Sequence, residues 1–248
     1  MNRFFIPPKA VQGNEVLIPD EISAQIRKVL RLKDGTHVQF LDNRGGIYES
    51  VIRYPDEKQI TAEVVQKLQA EDERICVSLY IGLTQREKFE WILQKCTEAG
   101  VGEIIPVISE RTLIRKASDV SGKQERWEKI LREASEQCGR ARIPVLRMPM
   151  TFGEAVRQGA KADRAVFCWE EEHQQSLSEV LSGLPDGAGT IAVMVGPEGG
   201  FSSEEAAAAG SAGWAPVTLG KRIYRMETAA LVAVVLTLYE TEKQASDS

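Results

Sequence analysis

The hydrophobic pattern changes its period near residue 75. Before that point, alternating runs such as His37-Val38-Gln39-Phe40-Leu41 and Gly46-Ile47-Tyr48-Glu49-Ser50-Val51-Ile52 are broken by turn residues. The breaks are Lys33-Asp34-Gly35, Asp42-Asn43-Arg44-Gly45 and Tyr54-Pro55-Asp56. Alternation with turns at that spacing predicts a small antiparallel β unit. One helix interrupts it, over Asp20 to Leu32, with Ile22, Ile26, Val29 and Leu30 on one face. Gln66 to Arg74 is polar and charged, which sets the expected domains at residues 1–70 and 74–244.

Beyond Arg74, strand patterns alternate with helix patterns. Ile75 to Leu83 predicts an apolar strand, and Arg86 to Ala99 an amphipathic helix with Phe89, Ile92, Leu93 and Cys96 in line and Gly100 at its end. Glu103 to Ile108 is a second strand. Ser121 to Cys138 is a helix whose buried stripe is Trp127, Ile130, Leu131, Ala134 and Cys138. Short strands follow at Ile143 to Arg147, Ala165 to Trp169 and Ile191 to Val195. That order implies a mostly parallel sheet with helices on its faces. The last helix, Thr228 to Glu240, is apolar nearly all round, so it belongs in a core or against a partner subunit. It is too short to span a bilayer, and Gln244 to Ser248 reads as a frayed tail.

Within this frame, the run Ile191-Ala192-Val193-Met194-Val195 leads straight into Gly196-Pro197-Glu198-Gly199-Gly200-Phe201. Ser202 and Glu205 then form a Ser-x-x-Glu capping box, which starts a helix just after the loop. A strand, a loop of bare backbone and a helix are how an α/β sheet builds a small-ligand pocket at the carboxyl ends of its strands. The loop has neither nucleotide fingerprint, Gly-x-x-x-x-Gly-Lys-Ser/Thr or Gly-x-Gly-x-x-Gly. Pro197 lacks an N–H and Glu198 repels phosphate, so the expected ligand is neutral or zwitterionic. A second constellation, Leu219-Gly220-Lys221-Arg222-Ile223-Tyr224-Arg225-Met226-Glu227-Thr228, precedes the last helix. It reads either as an ordinary helix approach capped by Thr228, or as a second loop on the same rim.

Composition narrows the chemistry. Among 248 residues the net charge is −5, yet Arg111 to Arg147 holds ten basic residues against five acids. A smaller basic cluster is Arg27, Lys28, Arg31 and Lys33. Each cluster fits a solvated helix face or a phosphate-binding surface. Cys76, Cys96, Cys138 and Cys168 are scattered and only His37 and His173 are available beside them, which argues against a metal site and for a reduced, cytoplasmic protein. No apolar run is long enough for a membrane span, and no signal peptide is evident.

The two loops carry a family resemblance. Gly196-Pro197-Glu198-Gly199-Gly200-Phe201-Ser202 together with Leu219-Gly220-x-Arg222-Ile223-x-Arg225-x-Glu227-Thr228-Ala229 resembles the SPOUT methyltransferases, and more narrowly the ribosomal RNA small-subunit methyltransferase E family. Arg3-Phe4-Phe5, Val29-Leu30-Arg31, Gln94 to Val101 and Glu133 to Arg140 match as well, while Tyr224 stands where a leucine is expected. The resemblance implies a small N-terminal PUA-like β-barrel for RNA and a C-terminal α/β domain tied in a trefoil knot. It implies a homodimer, no metal, and methylation of N(3) of uridine 1498 in 16S ribosomal RNA with S-adenosyl-L-methionine, the partner being that RNA in the small ribosomal subunit. The cofactor is then expected against Cys168, Trp169, Met194, Val195, Gly196, Pro197, Glu198, Gly199, Gly200, Leu219, Gly220, Arg222, Ile223, Tyr224, Arg225, Glu227 and Thr228.

Methyl transfer to a uracil N(3) creates charge on O2 and O4 once the proton leaves, which an arginine stabilises. Arg225 is the first candidate and Arg222 the second. Glu198 and Glu227 are candidates to take the proton or orient a water, and equally to bind the cofactor ribose or brace the loop, with bracing favoured for both. Arg3, Arg27, Lys28, Arg31, Arg115, Arg132 and Arg140 are the candidate RNA contacts. Two alternatives stay open: another SPOUT RNA methyltransferase acting on a ribose 2′-hydroxyl or a different base, and a non-catalytic RNA-binding assembly factor.

Overall fold

A computed structural model describes residues 1–56, 59–71, 73–182, 184 and 189–246. The chain divides into two compact units, Met1–Asp72 with Arg132–Ile143, and Glu73–Leu131 with Pro144–Ser248. The grouping of Arg132–Ile143 with the first unit departs from the single cut expected from the sequence.

The first unit is a six-stranded sheet with a short helix. In chain order its elements are β1 (Asn2–Phe5), β2 (Val11–Gln12), β3 (Glu15–Leu17), α1 (Asp20–Ala24), β4 (His37–Leu41), β5 (Gly46–Arg53) and β6 (Thr61–Gln69). The strand order is β1-β4-β5-β6-β3-β2. β1 joins β4 in parallel, while β4–β5, β5–β6, β6–β3 and β3–β2 pair antiparallel. Period-two alternation turns Val38 and Phe40 inward, where they meet Phe4, Val16, Ile52 and Ala62.

The polar stretch at which the sequence places the domain boundary begins inside the sheet: Gln66 to Gln69 is the end of β6, paired with Gly46–Glu49 of β5. Its side chains are exposed, so polar residues sit on the strand while the ladder satisfies the backbone. The helix expected over Asp20 to Leu32 stops being an α-helix at Ala24 and continues as a π-helical segment, Gln25–Leu30. A wider turn rotates less per residue. Ile22 and Ile26 therefore stay in the core, but Val29 is 72% exposed and Leu30 36%.

In chain order the second unit contains β7 (Cys76–Gly82), α2 (Arg86–Ala99), β8 (Glu103–Ile108), α3 (Gln124–Cys138), β9 (Val145–Leu146), β10 (Met150–Thr151) and α4 (Phe152–Gly159). It continues with β11 (Arg164–Cys168), α5 (Leu177–Ser182), β12 (Thr190–Val195), α6 (Ser203–Ser211), β13 (Ala215–Val217) and α7 (Met226–Ser246). The final residues of α3, from Arg132, group with the first unit. The sheet order is β10-β8-β7-β12-β11-β13, with β9 beside β8, and every one of these pairings is parallel.

Helices cover both faces, as the alternating pattern predicts. Tyr80, Ile105, Phe167, Ala192 and Met194 point into one core with Ala155 and Val156 of α4 and Ala209 of α6. The alternate positions are equally apolar and buried, and α7 packs against β7, β12 and α2 on that side. α2 carries the stripe Phe89, Ile92, Leu93 and Cys96, all 0% exposed, and ends at Gly100 with φ 108.

Some boundaries move. α3 begins at Gln124, after a 3-10 turn over Ala117–Lys123. Its buried stripe is Trp127, Leu131, Ala134 and Ser135; Cys138 is exposed because the helix ends there, at left-handed Gly139. The strand expected over Ile143 to Arg147 shrinks to Val145–Leu146. α7 starts at Met226 and runs on through Ser246, so Gln244 to Ser246 is helical, while residues 247–248 lie outside the described residues. Its inner residues Ala230, Ala233 and Val234 are buried, but Val235, Leu236 and Tyr239 face outward.

Candidate active site

Because neighbouring strands of the second sheet are parallel, their carboxyl ends share one edge. The segments leaving β11, β12 and β13 therefore meet there. They enclose a cavity of about 700 Å³, within the size range of small-molecule sites. The glycine loop lines one side of it through Val195, Gly196, Pro197, Glu198 and Gly200. Leu219, Gly220, Arg222, Ile223, Tyr224, Arg225 and Glu227 line the opposite side, and Cys168 and Trp169 complete the predicted set.

The glycine loop is fixed by its surroundings. A Cβ on Gly82, at the end of β7, would sit 2.5 Å from the nitrogen of Pro197, so that strand end must stay bare for the loop to pass. Gly200 has φ +68, and a Cβ there would collide with the Glu170 carboxylate. Phe201 anchors the loop in the core, its ring 4.5 Å from Phe167 and 5.6 Å from Phe152. The predicted capping box is present: Ser202 Oγ accepts from the Glu205 N–H, and Glu205 Oε2 accepts from the Ser202 N–H at 3.0 Å. Glu205 Oε1 also accepts from the Glu110 N–H, and Arg111 Nη1 donates to the Gly199 carbonyl.

Glu198 is held by two donors. Thr84 Oγ1 and Lys88 Nζ donate to its Oε1 at 2.5 and 2.9 Å. Partial burial pushes its carboxyl up, but the bonds from Lys88 and Thr84 outweigh that and hold it below the usual range. A carboxylate so committed is a poor proton acceptor at neutral pH. Cys168 is the opposite case: burial pushes its thiol up to about 12, so it stays protonated and acts as wall rather than nucleophile.

The second loop is freer. Its turn is closed locally, with the Gly220 N–H donating to Thr218 Oγ1 at 3.2 Å and Gly220 at φ +113. Arg222, Ile223 and Arg225 are exposed, Ile223 at 88%. α7 begins at Met226, with the Ala229 N–H bonded to the Arg225 carbonyl, so Thr228 lies inside the helix and does not cap it. Two polar atoms of lining residues are buried without a hydrogen-bond partner: Trp169 Nε1, a donor, and Glu227 Oε2, an acceptor. Orphans of this kind are costly unless a ligand answers them. A zwitterionic adenosyl compound carries acceptors for the first and an ammonium or hydroxyl for the second.

Three predicted residues do not line the cavity. Met194 is 0% exposed in the core beside Phe167, because strand alternation turns its side chain away. Gly199 faces Arg111, and Thr228 is turned aside by the helix. Sequence reasoning missed Lys88, His173 and Thr218. Lys88 was within reach: it sits in the first turn after β7, the same strand–loop–helix arrangement that marked the glycine loop.

The predicted RNA contacts divide. Arg3 Nε donates to Gln39 Oε1 at 3.0 Å and Arg27 Nη2 to the Gln59 carbonyl at 2.9 Å, so both are tied into the first unit. Arg115 bonds the Glu110 carbonyl. Arg140 is half-buried. Lys28 and Arg31 are exposed, and exposed Arg132 lines a second cavity with Phe5, Ile6, Asp42 and Arg44. Among the described residues there is no metal-binding cluster, and no helix is long and apolar enough to cross a membrane.

The profile of the RNA methyltransferase domain matches residues 71–238, and that of the RNA methyltransferase PUA domain residues 20–65. A ribosomal RNA small subunit methyltransferase E from Synechocystis is 33% identical over 236 residues, covering 94% of this chain and 75% of the relative. The chain belongs to that methyltransferase family. The Bacillus subtilis member is 29% identical across 98% of both chains. A crystal structure of the Neisseria gonorrhoeae member, bound to S-adenosyl methionine, superposes with a TM-score of 0.84 at 29% identity, over 96% of this chain and 97% of that one. The family assignment makes this an RNA-methylating enzyme with a PUA-like N-terminal domain and a SPOUT-type α/β domain.

Proposed function

We propose that the protein transfers a methyl group from S-adenosyl-L-methionine to N(3) of uridine 1498 in 16S ribosomal RNA. The observation that carries the reading is the cavity at the carboxyl edge of the second sheet, with Trp169 Nε1 and Glu227 Oε2 orphaned on its walls and arginines along one rim. Bound S-adenosyl-L-methionine supplies an electrophilic methyl on a sulfonium, so no metal is required. In this reading, free backbone groups of the cavity-lining residues Val195, Gly196, Gly200, Leu219 and Gly220 hold its polar ends, with Trp169 Nε1 and Glu227 Oε2 answering the remaining donor and acceptor needs.

The rest is positioning and charge. Arg225, and Arg222 beside it, are exposed at the rim and free to face O2 and O4 of a presented uracil, where they stabilise the N(3) anion. Glu198, committed to Thr84 and Lys88, braces the loop. Glu227 is assigned to the donor rather than to bracing, a reading supported by its buried, unpartnered Oε2 on the cavity wall. The target base must be unstacked to reach the rim, so the substrate is folded RNA opened at one nucleotide. The outward Val235, Leu236 and Tyr239 of α7 support assembly as a homodimer, and the RNA substrate supports a cytoplasmic site of action.

Nucleoside mass spectrometry with primer extension tests the reading. N(3)-methyluridine at the single expected position of 16S RNA is the predicted product. A ribose 2′-O-methyl or another methylated base would replace it with the other RNA-methylating reading. An absence of both transfer and S-adenosyl-L-methionine binding would favour an assembly factor.

A further inference from the structure

We infer that the turn at residues 28–31 of the first unit is a base-docking wedge for the substrate RNA. Val29 and Leu30 pack against the face of an unpaired base, and Lys28 and Arg31 hold the phosphates beside it. The inference rests on the reading that RNA is the substrate.

The backbone is the first argument. The π-helical segment Gln25–Leu30 is closed by Arg31 at φ 52, ψ 41, a left-handed conformation that residues with a Cβ seldom adopt. The Ile26 carbonyl accepts from both the Arg31 N–H and the Leu32 N–H, the latter at 3.1 Å. π-Turns and left-handed non-glycine residues both concentrate at functional positions.

Exposure is the second. An unbroken α-helix would return Val29 to the face of Ile22, in the core. The observed turn instead leaves Val29 72% and Leu30 36% exposed, forgoing most of the burial of Val29 and part of that of Leu30. The turn is nevertheless well anchored from beneath. Arg27 lies 5.0 Å over the Tyr54 ring and bonds the Gln59 carbonyl, while Tyr54 Oη donates to the Leu32 carbonyl at 2.7 Å. Ile26, Arg27 and Leu32 hold the turn, and the four residues between them point out.

Chemistry selects the occupant. Lys28, Arg31 and Lys33 are exposed around the apolar pair, and no acid occurs from Gln25 to Lys33. Asp34, the next residue, is engaged by the Tyr54 N–H and by Arg53. A second copy of this surface would bring like charges together. Single-stranded RNA offers what the surface lacks, a flat base face between two phosphates.

The test uses the full-length protein, unmethylated small-subunit particles as substrate and two variants, Val29→Ser/Leu30→Ser and Arg31→Gly. The double variant should raise KM for particles about tenfold, with kcat, S-adenosyl-L-methionine affinity, thermal midpoint and salt dependence unchanged. Arg31→Gly should keep or raise the thermal midpoint, because glycine adopts this conformation freely, while KM rises and the log–log salt slope of binding falls by about one. An unchanged KM in the double variant overturns the inference. So does a loss of thermal stability in both variants, which would make the turn structural, or a loss of self-association at unchanged KM, which would make it a contact between copies. Wild-type protein inactive on every RNA would sink the functional reading along with this one, whereas an active wild type and an indifferent double variant sink this one alone.

Discussion

The two loops that face each other across the cavity are built in opposite ways. The loop after β12 is held on every side: Gly82 lets Pro197 pass, Phe201 fills the core, the Ser202–Glu205 box starts a helix, and Thr84, Lys88 and Arg111 bond its polar atoms. The loop after β13 has a locally closed turn at Gly220 and then carries Arg222, Ile223 and Arg225 into solvent. One side is a preformed cradle whose groups are already engaged. The other keeps its cations uncommitted for a substrate that arrives later. Division of labour of this kind is what positioning catalysis needs, since a fixed donor site limits wasted motion and free charges meet the anion as it forms.

The sharpest way to break the contrast is on the free side. Arg225→Ala should lower kcat about 100- to 1,000-fold in single-turnover assays, with S-adenosyl-L-methionine affinity close to wild type. Near-normal chemistry would move the anion-stabilising role elsewhere. On the engaged side, Gly82→Ala forces a methyl against the Pro197 backbone. Overpacking there should cost about 1–3 kcal/mol in denaturant unfolding and weaken donor binding in calorimetry. Ser202→Ala removes the cap of α6 and should cost about 1 kcal/mol, with a smaller effect on affinity. If both engaged-side variants left stability intact, the loop would not be the rigid partner described.

The smallest effect is a pH dependence away from the cavity. Glu90 is held by Arg126, and by Arg86, which together bring its carboxyl down to about 2 despite opposing desolvation. A depressed carboxyl stabilises the fold above the unfolded-state value and loses that contribution as pH falls through the folded one. Glu90→Gln should therefore lower the thermal midpoint slightly at neutral pH, and the difference should shrink as pH falls from about 4.5 towards 2. Both arginines are more than half exposed, so the effect stays small.

Legibility in the sequence followed the length and regularity of each element. α2 was readable to the residue because Phe89, Ile92, Leu93 and Cys96 keep a helical period up to a terminal glycine. The glycine loop and its capping box were readable because a buried strand, bare backbone and a Ser-x-x-Glu signature occur together. The π-helical turn was not, since Val29 and Leu30 keep an α-helical spacing that the backbone abandons after Ala24. The regrouping of Arg132–Ile143 with the first unit depends on contacts distant in sequence, such as Glu136 Oε1 accepting from the Phe5 N–H, which no local pattern announces. At the site, His173 and Thr218 were missed because their contribution is set by which strand ends lie side by side.

Hydrogen exchange of the full-length protein with and without saturating S-adenosyl-L-methionine tests the account most directly. Protection should concentrate in the backbone amides of residues 195–200 and 217–220, with little change at β1 to β6. Absence of binding, or protection confined to segments away from both loops, would contradict it.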